Sequence, residues 1–210
     1  MDLSKIILKL GFAILFFYSC SEKIPVASNK YSDLVIIFED LRDLQEPILK
    51  NGIPDYSKNA MDTQYSQLKK LKSRLSRIDS SGWSVSDRVD YHLVKAELDA
   101  FEFHHTKLKP WSRDPGFYSF RSGDAGASMN VRDMMQPLYD FSIPLSNEQI
   151  KQFKVLFNIV PDIFNQAKLN LTNSSYDLAE FAIRNSKREA EMFSRIAEDL
   201  EHEHPQLSNS

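Results

Sequence analysis

Apolar residues in this chain recur at three- and four-residue steps over most of its length, the spacing that lines one face of an α-helix. The first such stretch runs from Ser32 to Gln45, with Ser32 able to cap it and Leu34, Ile37, Phe38 and Leu41 on one face. Val35 and Ile36 widen that face, so this helix is expected to be well buried. Glu46-Pro47 stops it, and a loop with Gly52 and Pro54 follows. A second helix is expected from Ala60 to Ile78, where Met61, Tyr65, Leu68, Leu71, Leu75 and Ile78 form a narrow stripe. Ser80-Ser81-Gly82 ends it.

The third helix is expected from Val85 to Lys107 and closes before Pro110. Ser84 and Asp87 read as a capping box, and Val85, Val89, Leu93, Ala96, Ala100 and Phe103 as the packing face. Helices two and three should pair as an αα-hairpin. Pro and Gly interrupt residues 108–146, leaving room for a short helix from Met129 to Tyr139. Ser146 and Gln149 form another capping box and open a fourth helix. Its face is Ile150, Phe153, Leu156, Phe157, Val160, Phe164 and Ala167, and Pro161 should kink it. The fifth runs from Tyr176 to Leu200, on Leu178, Phe181, Ala182, Met192, Phe193, Ile196 and Leu200. No alternating β-branched run is long enough for a sheet. The fold class predicted is all-α: an antiparallel helical bundle or array of about five main helices.

The amino terminus reads differently. Lys5 and Lys9 precede the apolar run Leu10 to Phe17, which is of signal-peptide length and short for a membrane span. Phe17-Tyr18-Ser19-Cys20 resembles a lipobox, and Cys20 is the only cysteine in the chain. The expected organisation is a lipoprotein signal peptide at 1–19, lipidated Cys20 with a tether to residue 30, a helical domain at 31–204 and a tail at 205–210. Multiple acyl chains on Cys20 would hold the protein stably in a membrane. The polar start Ser21-Glu22-Lys23, with no Asp after the cysteine, looks like outer-membrane lipoproteins of the Bacteroidetes type. Either face of that membrane is open to it.

With 42% hydrophobic residues and 11% aromatic, the chain can build a core. Net charge is -3, and loss of Lys5, Lys9 and Asp2 with the leader takes it to -4. A weakly acidic chain offers nucleic acid no basic footprint, and none is expected as a partner.

Little in the sequence carries catalytic chemistry. Glu201-His202-Glu203-His204 fails as an HExxH motif, because Gln206 stands where the second imidazole belongs. His104 and His105 are adjacent and should diverge on a helix, and His92 stands alone. Gly82-Trp83-Ser84-Val85-Ser86 lacks the last glycine of a nucleophile elbow. No glycine-rich nucleotide loop is present. The loop Gly123 to Ser128, between Arg121 and Arg132, is either a connector or a cradle for an anion. Carboxylate pairs such as Glu97 with Glu102 read as solvated. The most distinctive stretch is Trp111-Ser112-Arg113-Asp114-Pro115-Gly116-Phe117-Tyr118. It is either a structural corner plugging the end of a bundle or one wall of a ligand groove with exposed aromatics. The candidate ligand or partner surface is therefore Trp111, Arg113, Asp114, Phe117, Tyr118, Arg121 and Arg132.

Three segments carry a resemblance: Leu75-Ser76-Arg77-Ile78-Asp79, Ser86-Asp87-Arg88-Val89-Asp90-Tyr91-His92-Leu93, and Trp111 to Tyr118. Together they resemble the amino-terminal helical region of domain-of-unknown-function family 885, over roughly residues 32–200. The resemblance implies a zinc-metallopeptidase-like protein whose HExxH motif and further Glu ligand lie far downstream in a longer chain. Zinc is thus expected only in full-length relatives, and no residue here takes a ligand or base role. On this reading the chain is an exported lipoprotein equivalent to the non-catalytic front half, inactive alone, with a separate catalytic half as a candidate partner. The alternative is a stand-alone outer-membrane binding module for a peptide or glycan.

Overall fold

A computed structural model describes residues 28–120, 129–142 and 144–203. Cys20, the leader, most of the tether, Arg121, the 123–128 loop and the 205–210 tail lie outside the described residues. The architecture is all-α, with five helices of fifteen residues or more: α1 (Tyr31–Gln45), α2 (Lys58–Leu75), α3 (Val85–Phe103), α6 (Asn147–Asn170) and α7 (Tyr176–Glu203). Two shorter ones, α4 (Pro110–Arg113) and α5 (Met129–Met135), occupy the irregular middle.

Two clusters of buried side chains organise these elements. The first lies between α1, α2 and α3 and joins Leu34, Ile37 and Leu41 to Leu68, Leu71 and Leu75, and to Val94 and Leu98. The second gathers Trp111, Phe117, Tyr118 and Phe120 with Val131, Met135 and Leu138 and with Phe153, Leu156, Ile163 and Leu200. Helix α2 belongs to both, because Met61 in its first turn packs into the second cluster. Just before it, β1 (Leu49–Lys50) and β2 (Ile53–Pro54) form a small antiparallel hairpin. Asn51 and Gly52 take φ of 53° and 82° at its tip, the left-handed pair that an Asn-Gly turn supplies.

Helix ends mostly follow local chemistry. Ser57 accepts from Ala60 N, Ser84 accepts from Asp87 N at 3.2 Å, and Ser146 with Gln149 makes the full reciprocal box. Ser32 does not cap α1, which starts one residue earlier, after Lys30, with no side-chain cap. The chain entering α1 is held instead by pairing beside Ile78: Ser28 N donates to Arg77 O, and Asp79 N donates to Ser28 O. Residues 28–30 thus lie against the helical domain. Ile78 falls past the end of α2 and is still buried. Helix α6 runs through Pro161 to Asn170.

Two expected faces are corrected. On α1, Leu34, Ile37 and Leu41 are buried, but Val35, Ile36 and Phe38 face outward. On α3 the expected stripe is the exposed one: Val85 is 71% exposed, Leu93 58% and Phe103 53%. The inward stripe is Tyr91, Val94, Leu98 and Phe101. This stripe packs with the leucines of α1 and α2, and ion pairs run along its edges. The observed rotation puts Glu97 on Arg42, and Asp99 and Glu102 on Lys72. It also lets Tyr31 Oη donate to Asp90 at 2.7 Å. In α6, Phe157 and Phe164 are likewise 41% exposed, while Ile163 is buried.

This rotation predicts opposite effects for neighbouring leucines of α3. Leu98→Ala should lower stability by about 2–5 kcal/mol, the range for a fully buried leucine. Leu93→Glu should stay within about 0.5 kcal/mol. Urea unfolding of the two variants checks it.

Candidate functional site at the aromatic corner

Past Phe103 the helical path widens into a π turn over His104–Leu108, and Lys109 ends it at φ 45°. Pro110 then opens α4, and Asp114 caps a 3-10 turn, Pro115–Tyr118, by accepting from Gly116 N at 2.8 Å. Tyr118 Oη donates back to Trp111 O at 2.7 Å and accepts from Asn170 Nδ2 at 2.9 Å. The same Asn170 amide donates to Tyr56 O at 2.8 Å. One turn earlier on α6, Gln166 donates to Pro54 O at 2.9 Å and accepts from Tyr56 N. From α7, the buried Glu189 carboxylate accepts from Ser119 Oγ and from Phe120 N.

This network settles how the aromatic stretch is used. Trp111, Asp114, Phe117 and Tyr118 are all at most 9% exposed, so of the two readings of this stretch the structural corner describes the aromatics, and they are not the exposed side chains of the other. Their inner faces plug the second cluster, with Phe117 edge-on to Tyr56 at 4.8 Å. One rim of the corner is still open. Trp111, Arg113, Asp114 and Phe117 border a groove of about 690 Å³. Its other walls are the end of α1 (Asp43, Leu44, Glu46), Ile48 and Asp55, the start of α2 (Ala60, Met61, Gln64), Phe101, His104 and Leu178. The volume falls in the usual range for ligand sites, roughly 300–1,000 Å³.

Tyr118 sits behind this wall and is not part of it. Arg132 is away from the groove and pairs with its neighbour Asp133 at 2.9 Å. Of the six described residues of the predicted surface, four border the groove; Arg121 lies outside the described residues. Asp43, Glu46, Asp55 and His104 were not expected there. The acidic residues look like ordinary helix-stop and turn residues, and the π turn leaves no mark in apolar spacing.

That turn also corrects the expectation that His104 and His105 diverge. Both rings meet Trp111, at 5.5 and 5.1 Å between centroids, and His105 stacks on Tyr65 at 5.7 Å. Burial lowers the pKa of His104, and burial plus its neighbour lowers His105 to about 4. His104 Nδ1, His105 Nε2 and Arg113 Nε are buried with no hydrogen-bond partner among the described residues. Burial raises the Asp114 pKa, and the Gly116 N–H opposes that only in part. Tyr118 is pushed well above its ordinary value by burial.

Among the described residues, no group of three or more His, Cys, Asp or Glu side chains is placed to hold a metal ion. His202 lies exposed beside Glu203 at 3.1 Å, and His204 is outside the described residues. No described helix is long and apolar enough to cross a membrane.

The buried imidazole gives stability a defined pH dependence. His105 protonates near 6.5 when unfolded and near 4 when folded, so its contribution is complete above pH 6.5 and is lost as pH falls towards 4. The loss should approach about 3 kcal/mol at most. Urea midpoints between pH 7 and 4.5 should fall for the parent chain, and less steeply for His105→Phe.

No protein-family model matches the chain, and no curated protein or solved structure matches it either.

Proposed function

We propose that this chain is an exported, lipid-anchored binding module, whose ligand lies in the groove beside the aromatic corner. The observation that carries the reading is the groove itself. It is largely apolar and concave, and of a volume usual for a small-ligand site. Its wall also carries the carboxylates of Asp43, Glu46 and Asp55, which offer hydrogen-bond acceptors to a peptide or a glycan.

The anchoring half of the proposal rests on the charged start, the short apolar run and Cys20 at its end. Outer-membrane placement follows from the polar residues after that cysteine.

A second reading has its own support. The exposed α3 face of Val85, Val89, Leu93 and Phe103 is the kind of apolar surface a separate catalytic half would cover, as the likeness to the peptidase-like family implies. Under it, Leu93→Glu, harmless to the fold, would abolish assembly with that polypeptide.

Ala60 faces the groove from the first turn of α2, and Ala60→Trp should fill the space without disturbing either core. Any peptide or oligosaccharide that raises the melting temperature of the parent should fail to raise that of Ala60→Trp. Equal shifts in both would remove the groove from consideration. Separately, Cys20→Ser should abolish palmitate incorporation and move the protein from the membrane to the soluble fraction.

A further inference from the structure

Charge around the groove is one-sided. Asp43, Glu46, Asp55 and Asp114 all border it, and none of them makes an ion pair among the described residues. Several carboxylates elsewhere on the bundle are matched: Asp40 with Arg74, Glu97 with Arg42, and Asp99 and Glu102 with Lys72. Arg42, the one cation in the last turn of α1, is thereby committed to Glu97 and away from the groove. The helix adds to the imbalance, because the carbonyl end of α1 at Gln45 carries a partial negative charge towards the same space. Among the described residues Arg113 is the only formal cation in the wall, and one arm of it is tied to Lys107 O at 3.1 Å. His104 adds no positive charge near neutral pH, since burial holds its imidazole unprotonated.

The floor under these carboxylates is apolar and aromatic: Met61, Phe101, Trp111 and Phe117. A small inorganic cation would gain nothing from it, and a purely apolar ligand would leave the carboxylates unmatched. A glycan would offer them hydroxyls but no charge. The chemistry that answers both features is a lysine or arginine flanked by apolar side chains. Its charge meets the rim, its neighbours cover the floor, and an aromatic face in a partly dry site adds cation–π attraction.

We infer that the groove takes a short peptide segment in which a basic residue sits between apolar ones. This rests on the reading of the groove as the binding site and narrows its ligand.

The test titrates the full chain with four probes. Three are Phe-Leu-X-Leu-Phe peptides with lysine, norleucine or glutamate at X, and the fourth is a neutral oligosaccharide. The lysine peptide should bind at least tenfold more tightly than either relative. The gap should narrow at high salt and in Asp43→Asn/Glu46→Gln, whose urea midpoint should match the parent. Equal or tighter binding of the norleucine or glutamate peptide, or of the oligosaccharide alone, would overturn the inference and leave a groove that binds something else. If no probe bound, or if the lysine peptide bound Ala60→Trp equally well, both the inference and the groove reading would fall.

Discussion

The arrangement depends on satisfying the backbone of an irregular segment inside the protein. Between Lys109 and Phe120 the chain turns repeatedly and is largely buried, so its amide and carbonyl groups need partners that no regular helix supplies. Tight local turns and the side chains of Asp114 and Tyr118 supply most of them, and the last two long helices brace the result. Asn170 holds Tyr118 and, through it, the Trp111 carbonyl, while Glu189 holds Ser119 and Phe120. Gln166 and Asn170 also hold the backbone at Pro54 and Tyr56, just ahead of α2. Each such bond contributes only about 1 kcal/mol net, but leaving one partner buried and unmatched costs more. The corner is therefore fixed less by any one bond than by the absence of an alternative for the groups around it.

That constraint explains why two cores share one helix. The amides of α6 fix Tyr56, and with it the start of α2, against the second cluster. The rest of α2 then lies between α1 and α3, where Leu68, Leu71 and Leu75 complete the first. The groove is the space left where the end of α1 and the start of α2 approach the corner without closing on it. It owes its shape in large part to the hydrogen bonds that hold Tyr56, Asp114 and Tyr118 in place.

The helices were legible because their periodicity and caps agree. Ser146 with Gln149 and the stripe from Leu68 to Leu75 are found where spacing puts them. Helix α3 shows the limit of that reasoning. It has apolar residues at helical spacing on two faces, and periodicity cannot rank them. The ranking comes with the packing partners, such as Leu41 and Leu68, which lie on other helices and far away in sequence. At the corner the sequence marked the segment and left its exposure open between two readings. Trp111 and Phe117 announce a special site, but only the positions of Asn170 and Tyr56 determine that they turn inward. Asn185 and Glu189 were missed because polar residues in an apolar stripe look like interruptions, although their spacing from Ala182 keeps them on its buried face.

The corner also gathers polar groups that a core does not require. An aspartate with a raised pKa, two imidazoles in a widened turn and an arginine nitrogen with no partner among the described residues lie in or beside it. Folding alone gives no reason for this, since Phe in place of His105 would fill similar space with no polar atom to satisfy. Local costs of this kind persist where a site does something the core does not require. The exposed α3 face is a weaker indication by the same standard. An uncovered apolar stripe costs little in the folded state, so its presence says less about selection than unmatched polar atoms do. The corner is therefore the better place to look for what this protein binds.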